Sequence, residues 1–140
     1  MPNQSDLTIL SDNSSEEKLP DDFVLLTGTS NLPLAEKIGK ILGKTVYKPV
    51  AKFADGETRV QIPVNIRRGS VIIIQSTCPP DIDGNIMELL LMIDAAKRAA
   101  AERITCVIPY YGYGKQDRKI NYREPITAKL VAKLLGSAGA

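Results

Sequence analysis

An α/β doubly wound fold with a mostly parallel sheet is predicted by three features of the sequence. Apolar runs without alternation mark strands covered on both faces, helical periods separate them, and Gly, Pro or Asn stands at most junctions. Phe23 to Thr27 is the first such strand, followed by Gly28-Thr29-Ser30-Asn31. Leu32 to Leu42 then reads as a helix capped by Ser30 or Asn31 and stopped by Gly43, with Leu34, Ile38, Ile41 and Leu42 as its apolar face. Thr45 to Val50 and Thr58 to Val64 are strands flanking the Asp55-Gly56 turn, in a hairpin-like excursion; Val60, Ile62 and Val64 alternate as a half-buried strand requires. Ser70 to Gln75, carrying Val71-Ile72-Ile73-Ile74, is the expected central strand.

Past the loop Ser76 to Gly84, Asn85 is the expected N-cap of a long helix reaching about Glu102, with Ile86, Leu89, Leu90, Ile93 and Ala96 as its core stripe. Arg103 to Pro109 forms the next strand, and Tyr110 to Glu124 a loop. Pro125 suits the first turn of a helix running to Leu135 and ended by Gly136. In such a fold ligands sit beyond the carboxyl ends of the strands, so the loops after Thr27, Gln75 and Pro109 are the places for a site. An alternating pattern would next send a strand back into the sheet, so a fold cut short before its last strand is expected at Ala140.

A length of 140 residues is ordinary for one domain, and 44% hydrophobic with 24% charged residues excludes disorder of the whole chain. Residues 1–22 carry six acids against Lys18 alone and read as a flexible polar arm; the remaining 23–140 hold 17 basic against 10 acidic side chains. A polyanionic small ligand therefore suits the body better than the net +2 of the whole chain suggests, while that weak balance names neither nucleic acid nor a membrane surface as partner. The absence of His excludes Ser/His/Asp and Cys/His nucleophilic sites and the HExxH zinc helix. Cys78 and Cys106 lack metal-ligand spacing and fit free thiols in a reducing cytoplasm. The first residues show no basic segment followed by an apolar run, and Asp94 and Lys97 interrupt the apolar stretches, so a soluble, unexported protein is expected. The glycosylation patterns at Asn3 and Asn13 are thus chance matches.

Two phosphate-binding patterns fail on inspection. Gly43-Lys44-Thr45 has Ile38 where a P-loop needs glycine, and Gly112-Tyr113-Gly114 has Asp117 where a dinucleotide loop needs its third glycine. More informative is Phe53-Ala54-Asp55-Gly56-Glu57, which sets an aromatic face beside two carboxylates on a turn, suited to stacking on a base and accepting its amino protons; the plain alternative is an ordinary turn. The loop Tyr110 to Arg123 interleaves four tyrosines with Lys115, Arg118, Lys119 and Arg123 and adds Gln116 and Asp117. It offers charge, donors and stacking faces to a nucleotide phosphate chain, or is a solvated basic loop. Asp117 is too isolated to be a metal ligand.

Six runs in order carry a family resemblance: Phe53 to Glu57, Gln75 to Thr77, Asn85 to Leu90, Arg103 to Tyr110, Lys115 to Lys119 and Pro125 to Ala132. Over Phe23 to Ala140 the sequence resembles the N-terminal half of ribose-phosphate pyrophosphokinase, whose fold is of the phosphoribosyltransferase type. The resemblance implies transfer of the β,γ-diphosphoryl group of ATP to the anomeric hydroxyl of ribose 5-phosphate, with Mg2+, in nucleotide biosynthesis. It also implies two similar α/β domains and assembly from dimers into a hexamer. Carried over by residue, Phe53 would stack on the adenine of an ATP bound mainly to a neighbouring subunit, with Asp55 and Glu57 at its amino edge. Gln116 and Asp117 match a segment whose basic residue contacts ATP, and Lys115 stands there in place of the usual arginine. Arg118, Lys119 and Arg123 match its basic continuation and are weaker ATP or phosphate candidates.

The family's metal-nucleotide histidine, its catalytic basic loop and its ribose 5-phosphate loop match nothing in these residues, so no catalytic residue is assigned and most Mg2+ ligands are expected outside this chain. The expectation is an N-terminal domain that contributes ATP binding in a homo-oligomer and is inactive alone. Two alternatives are a non-catalytic subunit docking on full-length synthetase subunits and an inert fragment; a third is a simple nucleotide-binding module.

Overall fold

The computed structural model describes residues 21–140. The acidic arm expected over 1–22 therefore lies, but for Asp21 and Asp22, outside the described residues. Four strands form an all-parallel sheet in the order β2-β1-β5-β6: β1 (Phe23–Thr27), β2 (Val46–Tyr47), β5 (Ser70–Ile74) and β6 (Arg103–Val107). Two further strands, β3 (Val50–Lys52) and β4 (Thr58–Val60), pair antiparallel in a separate hairpin. The mixed α/β class and the parallel central sheet are as the sequence predicts.

Register explains the layers. β1 and β5 pair Leu25 with Ile72 and Leu26 with Ile73, so alternate residues of both strands share a face. Leu26, Val71 and Ile73 pack with α2 (Ile82–Arg98) and α3 (Thr127–Ala138), whose Ile86, Leu89, Met92, Ile93, Val131 and Leu135 are buried. Leu25, Ile72 and Ile74 face α1 (Leu32–Leu42) on the other side. β5 runs through the middle of both layers, which is why its sequence is apolar without alternation. β6 is half-covered: Ile104 and Cys106 pack on the larger core, whereas Arg103, Thr105 and Val107 are exposed.

Several element boundaries and one helix phase differ from the sequence expectation. The segment Thr45 to Val50 splits between the two sheets, because Val46 and Tyr47 pair with β1 while Val50 turns away to pair with Val60. β4 stops at Val60, though Ile62 and Val64 still pack on the core. α2 begins three residues before Asn85, with Asp81 as its cap accepting the Gly84 N–H at 3.0 Å; Asn85 is a buried helical residue whose Nδ2 donates to the Cys78 carbonyl. That helix ends at Arg98, where the chain reverses through Ala100 at φ +60. α3 starts past Pro125 and continues through Gly136 to Ala138. In α1 the buried positions are Ala35 and Gly39, and Ile41 is 84% exposed. A Cβ on Gly39 would lie 2.3 Å from Val46 Cγ2, so the helix meets the sheet through its smallest residues, and that close approach turns Ile41 and Leu42 outward. Asn31 is the cap, accepting the Leu34 N–H at 3.2 Å, and Gly43 closes the helix at φ +63.

Candidate functional site

Three polar regions stand on this frame. The first is the tip of the β3–β4 hairpin. Phe53 N–H donates to the Glu57 carbonyl at 2.8 Å, Gly56 N–H to the Phe53 carbonyl at 3.0 Å, and Glu57 N–H to Asp55 Oδ1 at 3.0 Å. Gly56 takes φ +93, a conformation that glycine adopts without strain. The turn holds Phe53, Asp55 and Glu57 together with their side chains in solvent, the Phe53 ring 51% exposed. Beneath it, Lys52, Glu57 and Thr58 face Asp81, Met87 and Leu91 of the α2 region across a groove of about 530 Å³.

The second region is the loop after β6. Its base is fixed by Thr77, fully buried, whose Oγ1 accepts the Gly112 N–H at 2.7 Å while its own N–H donates to the Tyr110 carbonyl at 2.9 Å. Tyr111 Oη donates to the Ala128 carbonyl, and Tyr113 Oη to Asp83 at the start of α2. That bond and the Asp83 charge raise the Tyr113 phenol above its ordinary value. Two of the four tyrosines are therefore struts, and Tyr122, 99% exposed, is the freest aromatic face. Gln116 also belongs to the scaffold: its carbonyl accepts the Ala128 N–H and its Oε1 accepts from Thr127 Oγ1 at 2.6 Å, closing the N-terminus of α3. Glu124 gathers the N–H groups of Ile120 and Asn121 and the Asn121 amide, which hold its carboxyl below the ordinary range.

Lys115, Asp117, Arg118, Lys119 and Arg123 remain exposed, with no side-chain hydrogen bond or ion pair among the described residues. The loop thus presents four uncommitted cations. Among the described residues no hydrogen bond or ion pair joins it to the hairpin tip, so the sequence-derived residues form two separate clusters, each bordering the start of α2. No group of three or more Cys, Asp or Glu side chains is placed to hold a metal ion among the described residues, and no magnesium ligand is assigned here.

The third region escaped the sequence reading. At the carboxyl ends of β1 and β5, Glu88 of α2 is buried and accepts from Thr29 N–H at 3.0 Å, from Thr29 Oγ1 at 2.7 Å and from Gln75 Nε2 at 2.9 Å. Gln75 Oε1 accepts from Ser30 Oγ at 2.8 Å. The available signal was a carboxylate set inside the apolar stripe Ile86-Met87-Glu88-Leu89-Leu90.

Residues 23–139 match the family described as the N-terminal domain of ribose phosphate pyrophosphokinase. The chain belongs to the ribose-phosphate pyrophosphokinase family. It is 55% identical over 117 residues to the ribose-phosphate pyrophosphokinase of Caldanaerobacter subterraneus subsp. tengcongensis, covering 83% of this chain and 37% of that protein. To the ribose-phosphate pyrophosphokinase of Synechocystis sp. it is 47% identical over 138 residues, covering 98% of this chain and 39% of the relative. The crystal structure of phosphoribosylpyrophosphate synthetase from Mycobacterium smegmatis superposes with a TM-score of 0.81 at 40% identity, over 85% of this chain and 40% of that one. This member of the ribose-phosphate pyrophosphokinase family thus spans well under half the length of these relatives.

Proposed function

We propose that this chain supplies the nucleotide-binding part of a ribose-phosphate pyrophosphokinase, holding ATP for diphosphoryl transfer to ribose 5-phosphate. The observation that carries the reading is the hairpin tip: a half-exposed phenyl ring beside two carboxylates, on a turn that satisfies its own backbone. Phe53 stacks on the adenine, and Asp55 and Glu57 accept protons from its amino edge. Lys115, with Arg118, Lys119 and Arg123 as a wider basic field, neutralises the phosphate chain, while Gln116 fixes the loop on α3 and Asp117 stands beside the cations. With no hydrogen bond or ion pair joining the two clusters among the described residues, a single ATP is completed by residues of a second subunit, in a homo-oligomer. Magnesium enters with the ATP phosphates; ribose 5-phosphate and the transfer step itself need segments beyond these residues. The protein acts in the cytoplasm.

Calorimetric titration of ATP into the chain and its Phe53→Ala variant tests the reading. Loss of one base–aromatic stack lowers affinity by about 5- to 150-fold. A variant that binds as tightly as the parent removes Phe53 from the site.

A second reading is favoured by the projection of the hairpin outside the main sheet: docking on a full-length synthetase subunit, to whose site the Phe53 tip is lent. Co-purification with such a subunit at micromolar concentration supports it, and the absence of a complex excludes it.

A further inference from the structure

We propose that the Glu88 carboxylate is a built-in anion occupying the ligand position of this domain's own sheet. The connections leaving β1 and β5 diverge: α1 leads from β1 to β2 at one side, and α2 leads from β5 to β6 at the other. Between two such strands a doubly wound sheet opens the crevice in which ligands ordinarily sit, with the first turn of the following helix offering N–H groups to an anion. Here that loop is Gly28-Thr29-Ser30-Asn31, and every donor of Thr29 and Ser30 is already taken. Thr29 N–H and Oγ1 donate to Glu88; Ser30 N–H and Oγ donate to Gln75 Oε1 at 3.3 and 2.8 Å. Gln75 Nε2 closes the ring by donating to Glu88 Oε2.

Neither Thr29 nor Ser30 has a donor left for an outside ligand. Glu88 is 4% exposed and Gln75 1%, and a Cβ added to Gly28 would lie 2.2 Å from Gln75 Oε1, so the amide rests directly on the strand end. A backbone N–H, a hydroxyl and an amide N–H converging on two oxygens are the same donors that bind phosphate or a free carboxylate. The carboxylate from α2 stands in for that anion and joins the two strand ends instead of admitting solvent. No residue of the hairpin takes part in this ring.

The test is Glu88→Ala, which removes a carboxylate the size of acetate and leaves its donors in place. Acetate or inorganic phosphate is then expected to raise the melting temperature of the variant by about 4 °C over sodium chloride of equal ionic strength. In amide NMR spectra the same anions shift the Thr29 and Ser30 resonances of Glu88→Ala, and neither shifts them in the parent or in Glu88→Gln, whose amide fills the space. A folded Glu88→Ala with no anion response beyond that of the parent overturns the proposal. So does an anion shift at Thr29 in the parent, which would show the crevice open. Should Glu88→Ala not fold in chloride, refolding on addition of acetate or phosphate supports the assignment, and failure to refold with either overturns it.

Discussion

Lys115 is the residue at which the sequence resemblance implies a lysine in place of an arginine, and its ammonium is exposed with no partner among the described residues. An ammonium is a point charge with rotatable donors, whereas a guanidinium grips two oxygens at once and stacks. Lys115→Arg is therefore expected to tighten ATP binding several-fold, and Lys115→Ala to weaken it, in the same titration that tests Phe53. Cys106 supplies a different kind of prediction. Burial on the core side of β6 pushes its thiol up to about 11, from an ordinary 9.0. The unfolded chain ionises this group first, so the stability it contributes is complete below pH 9 and is lost as the pH climbs through about 11. Melting temperature is expected to fall more steeply over that interval in the parent than in Cys106→Ala, and parallel curves would assign the loss to other groups.

At the scale of elements, much was legible. Continuous apolar runs located β1 and β5, because a parallel strand covered on both faces leaves no other pattern, and β6 was located too although only its Ile104 and Cys106 pack on the core. Caps placed α1 to the residue. α2 misled because Asn85 and Asp81 both look like caps, and only burial of Asn85 against the Cys78 carbonyl separates them. Hydrophobicity alone placed Ile38 on the core correctly and Ile41 and Leu42 wrongly: contact through Ala35 and Gly39 is a matter of distance between backbones, which apolar counting misses. For the site, the hairpin tip was visible in five consecutive residues, whereas the Glu88 ring joins positions 29, 30, 75 and 88, which meet only once the sheet has formed. Gly112 illustrates the same rule. A Cβ there would come 2.5 Å from the Thr77 carbonyl and 2.6 Å from Ile82 Cγ2, so Gly112→Ala must shift backbone at the loop base. Overpacking of this kind costs about 1–3 kcal/mol, measurable by urea unfolding, and the displaced loop should weaken ATP at the basic cluster as well.

At the scale of the whole molecule, the sheet is closed at neither side among the described residues. Among the described residues β6 pairs only with β5, and Arg103, Thr105 and Val107 on it are exposed. Leu130 and Leu134, 50% and 44% exposed, add an apolar stripe along α3. An open strand edge and uncovered apolar surface favour association. Sedimentation of the 140-residue chain is expected to show concentration-dependent oligomers, and a monomer unchanged with concentration would contradict this. The β3–β4 hairpin has the opposite character. Among the described residues its turn residues bond only to one another, and Phe53, Asp55 and Glu57 belong to neither core. Natural or laboratory variation at Phe53 and Glu57 is thus uncoupled from foldability, whereas Asp55 also holds the turn through its bond to the Glu57 N–H. Preference for one nucleobase over another is open to redesign there by randomised libraries, with expression yield holding steady while specificity drifts.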